Sequence, residues 1–169
     1  MSDPMSKRTM KNASLLTAVL LALFAISGCS GGKDRGAFLK EHTSDYNITE
    51  SAKRITQALA PMNYHLLRTI DHEARAKALK FYLKPTLTLE LDNPKISAKL
   101  LDCNPTMAVD LPLRIGFYNE LNGTTHLVYT NPEYWSLKHN IKDKTCIQLI
   151  NLLARDLDSA SDAIKKSAK

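Results

Sequence analysis

The chain has 169 residues, of which 44% are hydrophobic and 24% charged, with a formal charge of +6. That length suits one globular domain with a real core and leaves no room for two. Charges alternate in sign along most of the sequence, unlike the one-sided basic stripe of a nucleic-acid binder, so no nucleic-acid partner is expected.

Lys7, Arg8 and Lys11 precede an uncharged apolar run from Ala13 to Ile26, followed by small residues. This is the order of a secretory signal, and at 1.5 Å per helical residue the run covers about 21 Å, short of a ~30 Å hydrocarbon core. Ile26-Ser27-Gly28-Cys29 resembles the lipobox of bacterial lipoproteins, an aliphatic and two small residues before the cysteine that receives the lipid. The expectation is therefore a signal peptide over 1–28, diacylglycerol and palmitate carried on Cys29, and membrane attachment through that lipid. Ser30 in place of aspartate directs such a protein, by resemblance to the usual sorting rule, to the outer membrane, facing the periplasm. Residues 1–28 hold three basic side chains and Asp3, so the processed chain keeps +4. Residues 29–42 read as a tether, because Ser30 to Gly36 is too polar and glycine-rich to order itself. The folded domain is expected over 43–169. Beyond Cys29 only Cys103 and Cys146 remain, either a disulfide formed in an oxidising compartment or two buried thiols.

Ile48, Ala52, Ile55, Leu59 and Met62 recur at helical spacing and predict a helix from about Thr49 to Pro61. Tyr64–Ile70 reads as a strand, and Asp71 caps a short helix through Leu79. Thr86–Leu91 alternates, with Leu87, Leu89 and Leu91 on the buried side. Asn93-Pro94 supplies a cap and a first-turn proline for a helix ending near Leu101. Leu111–Tyr118 and Thr124–Thr130 flank Asn122-Gly123, a hairpin signal. A two-residue turn there would set Phe117 opposite Val128, placing Leu113, Ile115, Phe117 and Val128 on one face and Arg114, Tyr118, Leu127 and Tyr129 on the other. The second face is too apolar to be bare, so a helix or a partner subunit should cover it. Cys146, Ile150, Leu153, Leu157, Ala160 and Ile164 mark a long terminal helix, expected to cross the sheet and not to pair as a coiled coil. Together these elements indicate a single α+β domain with a mostly antiparallel sheet.

Ile70-Asp71-His72, Lys84-Pro85-Thr86, Asn93-Pro94-Lys95, Asp110-Leu111-Pro112-Leu113-Arg114, Tyr129-Thr130-Asn131-Pro132 and Lys138-His139 resemble, in order and spacing over about residues 44–165, the domain of unknown function 302 family. Ser97-Ala98 departs from the Gly-Thr step usual there, and Glu90-Leu91-Asp92 replaces a more apolar lead-in. The resemblance implies a small α+β domain of the TATA-binding-protein-like type, often dimeric, and no agreed activity.

The polar residues inside these segments are the candidate ligand contacts: Asp71, His72, Asn93, Lys95, Asp110, Arg114, Tyr129 and His139. Asp71, His72 and Asp110 are the candidate acid-base groups. Each has a plainer reading, Asp71 as a helix cap and Asp110 with Arg114 as a structural ion pair or cap. Lys95, in a first helical turn, either extends into water or meets an acid or anion. No phosphate loop, dinucleotide fingerprint or nucleophile elbow occurs, and His72 and His139 lie in no metal-ligating spacing, so neither cofactor nor metal is expected. The functional expectation is a lipid-anchored periplasmic module that binds or senses a small ligand or an envelope protein. A hydrolase or isomerase using the Asp/His groups, and an envelope scaffold built on the Arg114, Tyr118, Leu127, Tyr129 face, are the alternatives.

Overall fold

The computed structural model describes residues 38–166, so the expected signal segment, Cys29 and most of the tether lie outside the described residues. Five strands, β1 (Leu39–Ser44), β2 (His65–Asp71), β3 (Thr86–Asp92), β4 (Leu113–Asn119) and β5 (Thr125–Thr130), form one sheet in the order β1-β5-β4-β3-β2. Every pairing in it is antiparallel. The helices are α1 (Ile48–Leu59), α2 (His72–Ala78), α3 (Pro94–Cys103), the single turn α4 (Trp135–Lys138) and the long α5 (Lys144–Ser161). The α+β class and the long C-terminal helix are as the sequence predicts.

Side-chain caps fix where the helices begin. Asn47, Asp71, Asn93 and Asp143 each accept a hydrogen bond from an otherwise orphaned amide of the first turn. The apolar faces of α1, α3 and α5 meet one side of the sheet. Ile55, Leu59, Leu100, Ile150 and Leu157 are fully buried with Leu89, Leu91, Ile115, Phe117 and Leu127. Each such side chain contributes roughly 1.5–3 kcal/mol of transfer free energy. The expected disulfide is present: Cys103 at the end of α3 is bonded to Cys146 in the first turn of α5.

Two expectations are corrected. Residues 39–42, read as tether, belong to β1, an edge strand whose Leu-Lys-Glu-His-Thr-Ser sequence lacks apolar alternation. Lysine and other charged groups suit an edge that must not recruit another chain. The hairpin closes on three residues and not two. Glu120 N–H donates to the Thr124 carbonyl (2.9 Å), and Gly123 N–H donates to the Glu120 carbonyl (3.1 Å). Gly123 takes the left-handed conformation at φ 84°, so the loop is Leu121–Gly123, a type I turn followed by a left-handed glycine. Phe117 therefore pairs with Leu127 and Tyr118 with His126. A one-residue slip exchanges the faces of a strand. Leu127 and Tyr129 lie beneath the helices, Val128 and His126 face the other way, and the scaffold face predicted from Arg114, Tyr118, Leu127 and Tyr129 is divided between the two sides of the sheet.

Candidate functional site

The open side of the sheet carries charge in its middle. A β-bulge between Leu66 and Arg68 sets Arg68 opposite Glu90, and Glu90 lies opposite Arg114. Arg68 donates twice to the Glu90 carboxylate (3.0 and 3.0 Å), and Arg114 Nε reaches the same group at 3.4 Å. The hydrogen bonds from Arg68, helped by Arg114, hold the Glu90 carboxyl below the usual carboxylate range. One carboxylate thus serves two guanidinium groups, so Arg114 is paired with Glu90 and not, as expected, with Asp110.

Asp110 ends the 3-10 turn Pro105–Val109, just ahead of β4. Its Oδ2 lies 2.6 Å from His139 Nε2, and Lys138 Nζ donates to its Oδ1 at 2.8 Å. Burial alone would raise the Asp110 pKa, but the bonds and charges of Lys138 and His139 together outweigh it and hold the carboxyl below its ordinary value. His139 Nδ1 stands 2.7 Å from Thr106 Oγ1, and the Thr106 hydroxyl also lies 2.9 Å from Asn104 Oδ1. That hydroxyl has one proton, so it can donate to His139 or to Asn104 but not to both.

Beside Asp110 is a small cavity of about 50 Å³ lined by Val109, Asp110, Leu113, Arg114, Thr130 and Trp135. Trp135 is fully buried, and its indole Nε1 has no hydrogen-bond acceptor among the described residues. Of the residues lining it Arg114 and Asp110 are charged, with opposite sign; the ion-pair cluster they belong to also holds Arg68, Lys138 and Glu90, three cations against two carboxylates. The arrangement can bind an acceptor. The cavity lining holds the Trp135 indole, the Arg114 guanidinium, the Thr130 hydroxyl and the Asp110 carboxylate.

Three of the predicted residues, Asp110, Arg114 and His139, are brought together here. Asp71 and His72 are not. Asp71 caps α2 through Ala74 N (2.9 Å) and His72 Nε2 lies 3.0 Å from Thr88 Oγ1. Both sit at the opposite end of the sheet, where Asp71 pairs with Leu87 and Leu87 with Phe117. Asn93 is spent on the fold, accepting from Ile96 N (3.2 Å) and donating to the Met62 carbonyl (3.0 Å). Lys95 is exposed on a separate cleft of about 610 Å³ with Met62, Leu149 and Leu152. Tyr129 donates to Asp158 at 2.6 Å on the helical side; burial and then that carboxylate push its pKa up.

Sequence reasoning missed Trp135, Arg68 and Glu90. Glu90 stood in an alternating strand as an ordinary outward residue, and the bulge in β2 adds Arg68 to the Arg114 that β4 sets opposite it. A second cluster was also missed. His126, nearly buried, lies between Glu41 Oε1 (2.9 Å) and Glu120 Oε2 (3.6 Å), with its ring stacked on Tyr118. The 2.9 Å approach lacks hydrogen-bond alignment. Among the described residues no three His, Cys, Asp or Glu side chains converge to hold a metal ion.

Fold and site together define a small α+β domain with a small, partly polar cavity beside the start of β4. Residues 40–164 match the family described as Domain of unknown function DUF302, and the chain belongs to that family. The crystal structure of an uncharacterized conserved DUF302 protein from Bacillus stearothermophilus superposes with a TM-score of 0.69 at 20% identity, covering 77% of this chain and all of that one. The chain is also similar, at 24% identity over 98 residues, to fluoride-specific ion channel FluC 1 of Brucella suis biovar 1, covering 58% of this chain and 39% of the channel protein. FluC 1 of Brucella abortus biovar 1 matches at 24% identity over 36% of its length. The matched region is thus well under half of these curated relatives. Among the described residues no helix is long and apolar enough to cross a membrane.

Proposed function

We propose that this chain is a lipid-anchored envelope protein whose domain binds a small anion in the cavity between Trp135, Arg114 and Thr130. The observation that carries the reading is the buried indole N–H without an acceptor among the described residues. A donor left so costs about 1–3 kcal/mol, which a bound acceptor recovers. The cavity, at about 50 Å³, exceeds the ~15 Å³ needed for one water-sized occupant. The positive excess supplied by Arg68, Arg114 and Lys138 favours an anion over water. The fluoride named for the channel relatives makes fluoride the first ion to try, with formate and acetate next. The part of those channels that resembles this chain would then be an appended module. Placement in the periplasm, on the outer membrane, rests on the Ile26-Ser27-Gly28-Cys29 sequence.

The chain has a single tryptophan, so its emission reads the cavity directly. Titration with fluoride, formate or acetate at constant ionic strength should change that emission saturably, and Arg114→Gln should abolish the response. Emission that follows ionic strength alone overturns the reading. Labelled palmitate should enter the protein and be lost in Cys29→Ser. An enzymatic reading draws on Asp110 and His139, which make the carboxylate–imidazole contact that proton transfer needs. The Asp71-His72 pair would take no part in it.

A further inference from the structure

Residues 74–84, Ala-Arg-Ala-Lys-Ala-Leu-Lys-Phe-Tyr-Leu-Lys, contain four cations and no acid, a departure from the alternating charge along most of the sequence. Among the described residues none of Arg75, Lys77, Lys80 and Lys84 has an acidic partner; Lys84 Nζ donates to the Glu120 carbonyl at 3.3 Å. Between them the segment presents apolar side chains to water. Leu79 is 70% exposed, Phe81 71% and Tyr82 90%, and Leu121 of the adjoining hairpin loop is 93% exposed. Both loops lie at the same end of the sheet, since Thr86 pairs with Tyr118 and Lys84 lines a depression with Asn119–Asn122.

The segment has a defined backbone. Phe81 N–H donates to the Ala76 carbonyl (2.9 Å) and Lys80 N–H to that of Lys77 (3.0 Å). Lys80 takes the left-handed conformation at φ 62°, completing a Schellman closure of α2. Such a closure usually turns the following apolar side chain back onto the helix, whereas Phe81 is left exposed.

We infer that this tip docks on the surface of an anionic lipid bilayer, with Leu79, Phe81, Tyr82 and Leu121 entering the interface and the four cations meeting headgroups. Aromatic side chains with basic neighbours are the composition of an interfacial segment, and each cation near an anionic leaflet strengthens binding about fivefold. A second copy fits worse. A two-fold interface would bring the same cations against each other. Nucleic acid also fits worse, because beside the rings of Phe81 and Tyr82 the tip exposes Leu79 and Leu121, aliphatic surface on which no base stacks.

The test places a reporter at the tip of the full chain, Tyr82→Trp, against the buried and constant Trp135. With vesicles of phosphatidylglycerol and phosphatidylcholine, emission from the introduced indole should move to the blue and be quenched by lipids brominated in the upper acyl chain. Pure phosphatidylcholine should give little of either. Adding Lys77→Gln, Lys80→Gln and Lys84→Gln should raise the lipid concentration for half-maximal quenching by roughly fivefold per cation removed. Emission from the reporter that stays unchanged while the chain sediments with vesicles overturns the inference. So does equal quenching on neutral and anionic vesicles. A blue shift produced by single-stranded RNA, or by raising the protein concentration without lipid, overturns it too and assigns the tip to those partners instead.

Discussion

The bond between Cys103 and Cys146 ties the end of α3 to the start of α5 across a sequence separation of 43 residues. In the chain-entropy treatment, a loop of that size removes about 13 cal/mol/K from the unfolded ensemble, or about 4 kcal/mol at 25 °C. A domain of this length unfolds with an entropy of roughly 270 cal/mol/K at about 2.1 cal/mol/K per residue, so the loss should lower the melting midpoint by about 15 °C. Cys103→Ala with Cys146→Ala, compared with the native chain by thermal denaturation followed by circular dichroism, measures this directly. Each single variant should fall at least as far, because either change opens the loop and leaves the partner thiol buried. Incubation of the native protein with reductant should reproduce the shift. A double variant melting within about 3 °C of the native protein would mean that the entropy of the open loop contributes almost nothing and that the bond is not what holds α3 to α5.

Asp110→Asn should weaken the fold at neutral pH and flatten its acid response. Because the folded carboxyl sits below its unfolded value of about 3.9, its contribution is full above that pH and is lost as pH falls through the folded pKa. Denaturant midpoints measured at neutral and acid pH should therefore converge in the variant. Asn93→Ala removes both a buried helix cap and a donor to Met62, and should cost about 1–3 kcal/mol by urea unfolding. Tyr129→Phe leaves the Asp158 carboxylate without its 2.6 Å donor and should cost about 1–2 kcal/mol in the same assay. The hairpin register is tested by charge: Leu127→Asp should unfold the domain, whereas Val128→Asp, on the open face, should be tolerated in soluble expression.

The helices were legible because their signals are local. Asn93-Pro94 and Asp71 state their caps outright, and the spacing from Cys146 to Ile164 needs no partner to be recognised. β3 was legible for the same reason, its leucines alternating within one element. β1 was not, because an edge strand of Leu39–Ser44 takes its order from β5 and carries no inward stripe of its own. The hairpin shows how little a dipeptide fixes. Asn122-Gly123 announced the turn, yet Gly123 occupies the closing left-handed position and not the second centre, and that single step moved Tyr129 from the expected outer face to the core. At the site, Asp110 and His139 were each visible as polar residues within matching segments. Their 2.6 Å contact depends on where the 3-10 turn before β4 and the turn after Trp135 meet, which is a property of the assembled domain. Trp135 drew no notice because an indole in a loop normally finds an acceptor, and its lack of one is visible only in the fold.

The two proposed activities sit at opposite ends of the same strands. The anion cavity lies where β4 begins, beside Leu113 and Arg114, and the basic apolar tip lies beyond its end at Asn119. Seven residues of strand at about 3.3 Å each separate them by roughly 20 Å, twice the screening length of about 10 Å at moderate salt. Charge removed from Lys77, Lys80 and Lys84 should therefore leave the Trp135 response to anions unchanged, and Arg114→Gln should leave docking of the tip unchanged. Coupling between them would have to run through β4 itself, whose inner residues Leu113, Ile115 and Phe117 are locked in the core. If anion binding altered vesicle docking, the tip and the cavity would have to be two ends of one moving element. The rigid sheet that separates them here would then be the wrong description of how the domain works.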